Sequence, residues 1–298
     1  MYSRVIQIRP GAAMTPKILI LLVLLTALSF SCDSRKAASH PEPRGKQTGG
    51  PARACVPEAE LLAANIVQGT QVLPGDEDAK AVMMVFSNGE LCTGAAISEN
   101  VILTAAHCVV KGDPSNTSVM LYPSLSCESG FNRAKYSIPA VKIIVHEDYN
   151  PKVEANLTSG DLALVVLATK LPAGYPIYKI AAPSEVIEDV LLLYGYGKTG
   201  SNEKGAGILR NTTVQKYFKD EVNKKVKIDQ QNAPGICQGD SGGPSLVMVG
   251  GELKILGVNS YVTGDSKDVC NRESYQVLVW SYDNWLQEKL KTTLLPKL

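Results

Sequence analysis

The segment with the clearest chemical potential is Gly239-Asp240-Ser241-Gly242-Gly243-Pro244, a serine set among glycines. Glycines permit the tight turns and close backbone approach that an exposed nucleophile with adjacent N–H donors requires. Taken alone the pattern is ambiguous. It also satisfies the G-x-S-x-G elbow of α/β-hydrolases, and a plain loop with two glycines after a serine is common. A nucleophilic serine needs a base, and the chain holds only His40, His107 and His146. All three precede Ser241, so the α/β-hydrolase order of serine, acid, histidine is excluded.

His107 lies in Leu103-Thr104-Ala105-Ala106-His107-Cys108, where small residues let the backbone pack around an imidazole at the end of an apolar strand. It is the expected base. His146 sits in a polar, turn-rich stretch, Val145-His146-Glu147-Asp148-Tyr149-Asn150, and reads as a solvated loop residue. The third group should be a carboxylate in a dry place. Asp161 opens Asp161-Leu162-Ala163-Leu164-Val165-Val166-Leu167, the most apolar strand after the N-terminal leader, and a buried acid there requires a partner.

These residues must be carried by short strands. From Ile66 onward, Val/Ile/Leu-rich stretches alternate with turn signals such as Ser87-Asn88-Gly89 and Tyr149-Asn150-Pro151. Strands are predicted at 82–86, 92–97, 101–104, 118–121, 141–145, 162–167, 190–194, 245–249, 253–261 and 275–280, with one helix at 282–292. An all-β fold with a terminal helix fits this pattern better than alternating βαβ units.

LTAAHC, DLALV and GDSGGP, in the order His, Asp, Ser, resemble the chymotrypsin-like (trypsin-like) serine endopeptidases over roughly Ile66 to Leu290. Ile66-Val67-Gln68-Gly69 is similar to the family's mature N-terminus, and Ser260-Tyr261 to the strand that lines the substrate. The resemblance implies two antiparallel β-barrels, about 66–175 and 176–298, with the catalytic groups in the cleft between them. It assigns Ser241 as nucleophile, His107 as general base and then acid, and Asp161 as the group that fixes the imidazole tautomer. It places the oxyanion hole on the N–H groups of Gly239 and Ser241. It also implies disulfides between Cys92 and Cys108 and between Cys237 and Cys270. Cys55 and Cys127 are then expected to pair with each other, which would keep a cleaved pro-segment attached.

The family frees an N-terminal amine that pairs with the acid before the nucleophile, here Asp240, and Ile66 suits that role. Asn65 precedes it where the family usually has Arg or Lys, so a trypsin-like activator is not implied. For specificity, the resemblance places Gly235 at the floor of the primary pocket, where trypsin-like members carry Asp. Val262, next to Ser260 and Tyr261, would narrow that pocket, so small aliphatic side chains are expected before the scissile bond. Glu273 is a competing determinant: with Tyr275 aligned to the family's pocket tyrosine it would point inward and attract a basic side chain, and otherwise it is a surface residue.

The 298 residues carry 30 basic and 29 acidic side chains, which gives no reason to expect a nucleic-acid partner. Seven cysteines without a CxxC pair favour an oxidising compartment over a metal site, and no cofactor is expected. Residues 18–30 form a 13-residue apolar run after Lys17, too short to span a bilayer and suited to a signal-peptide core. The following Leu28-Ser29-Phe30-Ser31-Cys32 resembles a bacterial lipobox, which would lipidate Cys32 and leave six cysteines to pair. Residues 33–54 contain no Val, Ile, Leu, Met or aromatic residue and read as a tether. The expected organisation is a signal peptide at 1–31, an anchor, tether and pro-segment at 32–65, and a protease domain at 66–298. The predicted protein is an exported monomer, secreted or held in a bacterial envelope, that acts on protein or peptide substrates. Two alternatives are a silent binding protein on the same scaffold and an esterase using the same three residues.

Overall fold

The computed structural model describes residues 67, 69–73, 75–121, 136–152, 160–201 and 205–294. The leader, Cys32, the tether, Cys55, Ile66 and Cys127 lie outside the described residues. Within them the all-β expectation holds, with fifteen strands and one long helix.

The first half is a closed barrel of six strands in the order β2-β3-β4-β7-β6-β5. These are β2 (Val82–Ser87), β3 (Glu90–Ser98), β4 (Val101–Thr104), β5 (Thr117–Met120), β6 (Ser137–Val145) and β7 (Ala163–Leu167). The β2–β3 hairpin turns at Asn88 (φ 50°) and Gly89 (φ 83°), the paired left-handed conformation that a two-residue Asn-Gly turn favours. Every residue of β4 and β7 is buried.

The second half is a nine-stranded sheet ordered β1-β10-β9-β13-β14-β15-β12-β11, with β8 (Lys179–Ile180) added in parallel to β14. Its members are β1 (Thr70–Gln71), β9 (Leu191–Gly195), β10 (Arg210–Val214), β11 (Phe218–Asp220), β12 (Lys225–Asp229), β13 (Pro244–Val249), β14 (Glu252–Thr263) and β15 (Glu273–Leu278). Sequence reading found the apolar strands and missed the two-residue β1 and β8 and the longer β10 to β12. In β12 the buried Val226 and Ile228 alternate with charged Lys225, Lys227 and Asp229, and in β10 two of the three buried positions are filled by Arg210 and Thr212, the third by Val214. A two-residue period with so few apolar side chains does not stand out from a loop.

The two ends of the described fold cross between the halves. β1 pairs with β10 of the second sheet, while the C-terminal helix α2 (Asp283–Leu294) packs Trp285 and Leu286 into the core that contains the first barrel. The short helix α1 (Ala106–Val109) follows β4 directly.

Candidate functional site

The barrel register explains how two distant residues meet. β4 runs antiparallel to β7 with Thr104 opposite Ala163, so the end of β4 and the start of β7 lie at the same rim. His107, three residues past β4, and Asp161, two residues before β7, are thereby brought together. The Asp161 carboxylate accepts the His107 backbone N–H through Oδ1 at 2.9 Å and lies 2.9 Å from the ring Nδ1 through Oδ2. Asp161 is buried, 3% exposed.

Burial alone would lower the basicity of the His107 ring, yet the hydrogen bond and charge of Asp161 outweigh it and hold the pKa above 6.5. Burial likewise pushes Asp161 up, and the His107 ring, the Ser260 hydroxyl and the His107 N–H outweigh it, leaving the carboxyl below its ordinary value. With Nδ1–H on the carboxylate, Nε2 is the ring nitrogen left to accept a proton.

Ser241 arrives from the other half. Its loop is pressed against the first barrel: the Ser241 carbonyl accepts the Thr93 N–H at 2.8 Å, and the Thr93 hydroxyl donates to the Gly239 carbonyl at 2.8 Å. A side chain on Gly242 (φ 82°) would collide with the Thr104 hydroxyl and the Thr93 carbonyl, so this close approach requires glycine. Cys108 Sγ lies 3.7 Å from His107 Nε2 and 3.7 Å from the Ser241 carbonyl oxygen, which puts the free ring nitrogen and the serine backbone around one atom.

Peptide directions in the loop are also fixed. The Gln238 carbonyl accepts the Lys198 N–H at 2.8 Å, and the Asp240 carbonyl accepts the Gly243 N–H at 3.0 Å and Asn259 Nδ2 at 3.1 Å. In trans peptides these bonds turn the Gly239 and Ser241 N–H groups the opposite way. Among the described residues, neither N–H donates to a protein group. The Asp240 side chain, fully buried, accepts Gly197 N–H at 2.7 Å and Cys237 N–H at 2.8 Å. Burial pushes its carboxyl up to about 7, against those two N–H groups and the charge of Arg210.

Both expected disulfides within the described residues form, Cys92–Cys108 and Cys237–Cys270. Cys92, His107 and Cys108 cluster closely enough to suggest a metal site, but the two sulfurs are bonded to each other and are not thiolate ligands.

Ser260 has a contact that sequence reading did not anticipate: its hydroxyl donates to Asp161 Oδ2 at 2.6 Å. Only the fold reveals it, since 99 residues separate the pair. Beneath Gly235 stands the buried side chain of Gln230, whose carboxamide accepts the Ile236 N–H at 3.0 Å and donates to the Ile236 carbonyl at 3.0 Å and to the Cys270 carbonyl. A side chain on Gly235 would collide with that carboxamide. The buried Ile236 belongs to the second core, and Val262 packs against it.

One reading is corrected, and for Glu273 the surface alternative holds. His146 is buried rather than solvated, 8% exposed, with ring centroids 4.9 Å from Tyr282 and 4.8 Å from Trp285. It holds α2 against the barrel beside Gly160, whose N–H donates to the Tyr282 hydroxyl at 2.9 Å. Polar neighbours in sequence hid an imidazole that serves as packing. Glu273 does not act as an inward acid: it pairs with Lys227 Nζ at 2.5 Å and accepts the Tyr275 hydroxyl at 2.7 Å. Tyr275 stacks on Tyr261 with centroids 4.6 Å apart, and Ser274, Gln276 and Leu278, on the other face of this strand, are fully buried. A bulge between Asn259 and Tyr261 shifts the pairing register of β14 with β15.

The model of the trypsin family matches residues 66–286. Granzyme B(G,H) of Mus musculus is 30% identical over 248 residues, covering 78% of this chain and 93% of the relative. Chymotrypsin-like elastase family member 1 of Macaca fascicularis is 25% identical over 246 residues, covering 76% and 90%. Among solved structures, neuropsin, a serine protease expressed in the limbic system of mouse brain, superposes with a TM-score of 0.60 at 22% identity, covering 76% of this chain and all of that one. The barrel, the second sheet and the terminal helix agree with that fold, and the chain belongs to the trypsin family of chymotrypsin-like serine endopeptidases.

Proposed function

We propose that the protein cleaves peptide bonds through Ser241, His107 and Asp161 by way of an acyl-enzyme, with preference for a small aliphatic side chain before the scissile bond. The observation that carries this reading is the convergence on Cys108 Sγ, 3.7 Å from His107 Nε2 and from the Ser241 backbone, with Asp161 on the opposite ring nitrogen. His107 Nε2 takes the Ser241 hydroxyl proton as Oγ attacks the carbonyl carbon, then returns it to the departing amine. Water deacylates Ser241 by the same route in reverse. The carbonyl oxygen, charged in the tetrahedral intermediate, is received by the Gly239 and Ser241 N–H groups, each such donor contributing about 3 kcal/mol.

The preference for small side chains is supported by the closing of the pocket base. Gln230 fills the space beneath Gly235 with a neutral, hydrogen-bonded amide, and Val262 packs against the apolar cluster to which Ile236 belongs. None of these described residues offers a charge to lysine or arginine. Export, with a leader ending at Ser31 and a lipidated Cys32, is proposed from the sequence and lies outside the described residues.

The test is digestion of a mixed peptide library by the purified form beginning at Ile66, with Ser241→Ala as control. Cleavage after Ala, Val or similar residues, absent in the control, is expected. Hydrolysis of small esters without any peptide cleavage would overturn the peptidase reading, and cleavage confined to Lys or Arg would overturn the pocket assignment.

A further inference from the structure

Asn259 in β14 and Ser245 in β13 are polar residues with no exposed surface. A buried carboxamide is stable only when its donor and its acceptor are both paired. Asn259 Nδ2 donates to the Asp240 carbonyl at 3.1 Å, and Asn259 Oδ1 accepts the Ser245 hydroxyl at 3.0 Å. Chemistry fixes this orientation: the Asp240 carbonyl can only accept, so the amide nitrogen must face it, and the hydroxyl proton is left for the amide oxygen. The Asn259 backbone grips the same loop, its carbonyl accepting the Gly242 N–H at 2.7 Å and its N–H donating to the Gly243 carbonyl at 2.9 Å.

The Asp240 carbonyl belongs to the peptide whose N–H is that of Ser241. Holding its oxygen inward in a trans peptide turns the Ser241 N–H outward, toward the place proposed for the oxyanion. The Gly243 N–H also holds this carbonyl, at 3.0 Å, but it is part of the loop and moves with it. Asn259 stands on β14 and ties the peptide to the sheet. The next residue, Ser260, donates to Asp161 Oδ2 at 2.6 Å, so consecutive residues of one strand hold the serine loop and the acid.

We propose that the Asn259 carboxamide, braced by the Ser245 hydroxyl, is a positioning group that sets the direction of the Ser241 N–H and thereby the rate of acyl transfer. The proposal rests on the function assigned to the 239–241 loop. Its sequence setting, Gly257-Val258-Asn259-Ser260, marks Asn259 only as a polar residue in an apolar strand, because the contact to Asp240 spans 19 residues.

The test uses purified parent, Asn259→Leu, Ser245→Ala and the double variant, each checked for folding. A peptide substrate gives kcat and KM. A peptide aldehyde and the matching alcohol give two affinities: Ser241 Oγ adds to the aldehyde carbon and the resulting oxyanion sits on the N–H donors, whereas the alcohol has no carbonyl to attack. Asn259→Leu should lower kcat and weaken the aldehyde by at least about tenfold, because a misdirected donor loses part of the 10²–10³ that a deleted one costs. KM and the affinity for the alcohol should stay within about threefold of the parent, since neither depends on the oxyanion. Ser245→Ala should shift kcat and the aldehyde in the same direction by a smaller factor, and it should add nothing in the Asn259→Leu background, where its partner is already gone.

Three results overturn the proposal. They are a folded Asn259→Leu protein with the parent's kcat and aldehyde affinity, equal losses of aldehyde and alcohol binding, which would mark a general structural role, and a Ser245→Ala effect that persists undiminished in the double variant. If Asn259→Leu does not fold, Ser245→Ala decides alone: a lowered kcat with selective loss of aldehyde affinity supports the proposal, and parent-like values refute it. If the parent neither cleaves peptides nor binds the aldehyde more tightly than the alcohol, the proposed function falls and takes this one with it.

Discussion

The Thr93 hydroxyl donates to the Gly239 carbonyl at 2.8 Å while accepting the Tyr196 N–H at 3.0 Å, joining the first barrel to the second sheet at the proposed oxyanion loop. Thr93 is fully buried, so each bond lost leaves a polar group without water to replace it. Thr93→Val, which keeps the shape and removes the hydroxyl, is expected to destabilise the fold by about 1–3 kcal/mol. It should lower kcat more than it raises KM, because the loop it holds is proposed to act in the transition state. Thr93→Ser should recover most of both. Denaturant titration and steady-state kinetics measure the two effects, and a Val variant with unchanged kcat would dissociate Thr93 from the loop.

Asp161 is what raises the His107 pKa against burial. The ring must be neutral to accept the serine proton, so activity should fall as pH drops through a midpoint above 6.5. In Asp161→Asn the raising contribution disappears and burial remains, so the midpoint should move to lower pH while kcat falls about 10⁴-fold. A pH–rate profile of both proteins checks the sign. An unmoved acid limb in the Asn variant would mean that another group governs it.

The proposed preference for small side chains rests on Val262 and Ile236. Val262→Gly should raise kcat/KM for a substrate with Phe before the scissile bond relative to Ala by at least about 10-fold, a single methylene in an apolar pocket being worth about 10–200-fold. Matched peptide pairs give the ratio directly. No change in the ratio would mean that the wall is set elsewhere.

His146 packs between Tyr282 and Trp285, and burial lowers its pKa from 6.5 despite the opposing charges of Asp148 and Glu147. The unfolded chain therefore binds a proton that the folded chain resists. The stability associated with this group is fully present above pH 6.5 and is lost as pH falls below that value, levelling off under the lowered folded pKa. His146→Phe should flatten this part of the stability curve between about pH 7 and 5. Unfolding free energies at several pH values test it, and parallel curves for the two proteins would refute the linkage.

The three motifs around His107, Asp161 and Ser241 were legible because each couples a reactive side chain to a distinctive local setting: small residues beside the histidine, an apolar strand after the acid, glycines around the serine. The apolar strands and the final helix were legible for the same reason, since their periodicity is written in hydrophobic residues. What escaped depends on long-range register. Ser260 meets Asp161 and Thr93 meets Gly239 across 99 and 146 residues, and no local pattern marks either pair. Glu273 was ambiguous because local spacing does not fix the β14–β15 register, which shifts at Ser260. Arg210 was missed because a buried guanidinium in a polar strand looks like a surface charge until its partner strand is known.

The account turns on Ser241 being a nucleophile activated by His107. The direct measurement is mass mapping of a fluorophosphonate adduct on the form beginning at Ile66, with labelling rates for the parent, Ser241→Ala and His107→Ala. The account predicts a single adduct on Ser241, none in the Ser241→Ala protein, and a rate at least 100-fold lower in His107→Ala. Absence of labelling in a folded parent, or equal labelling in Ser241→Ala, would contradict it.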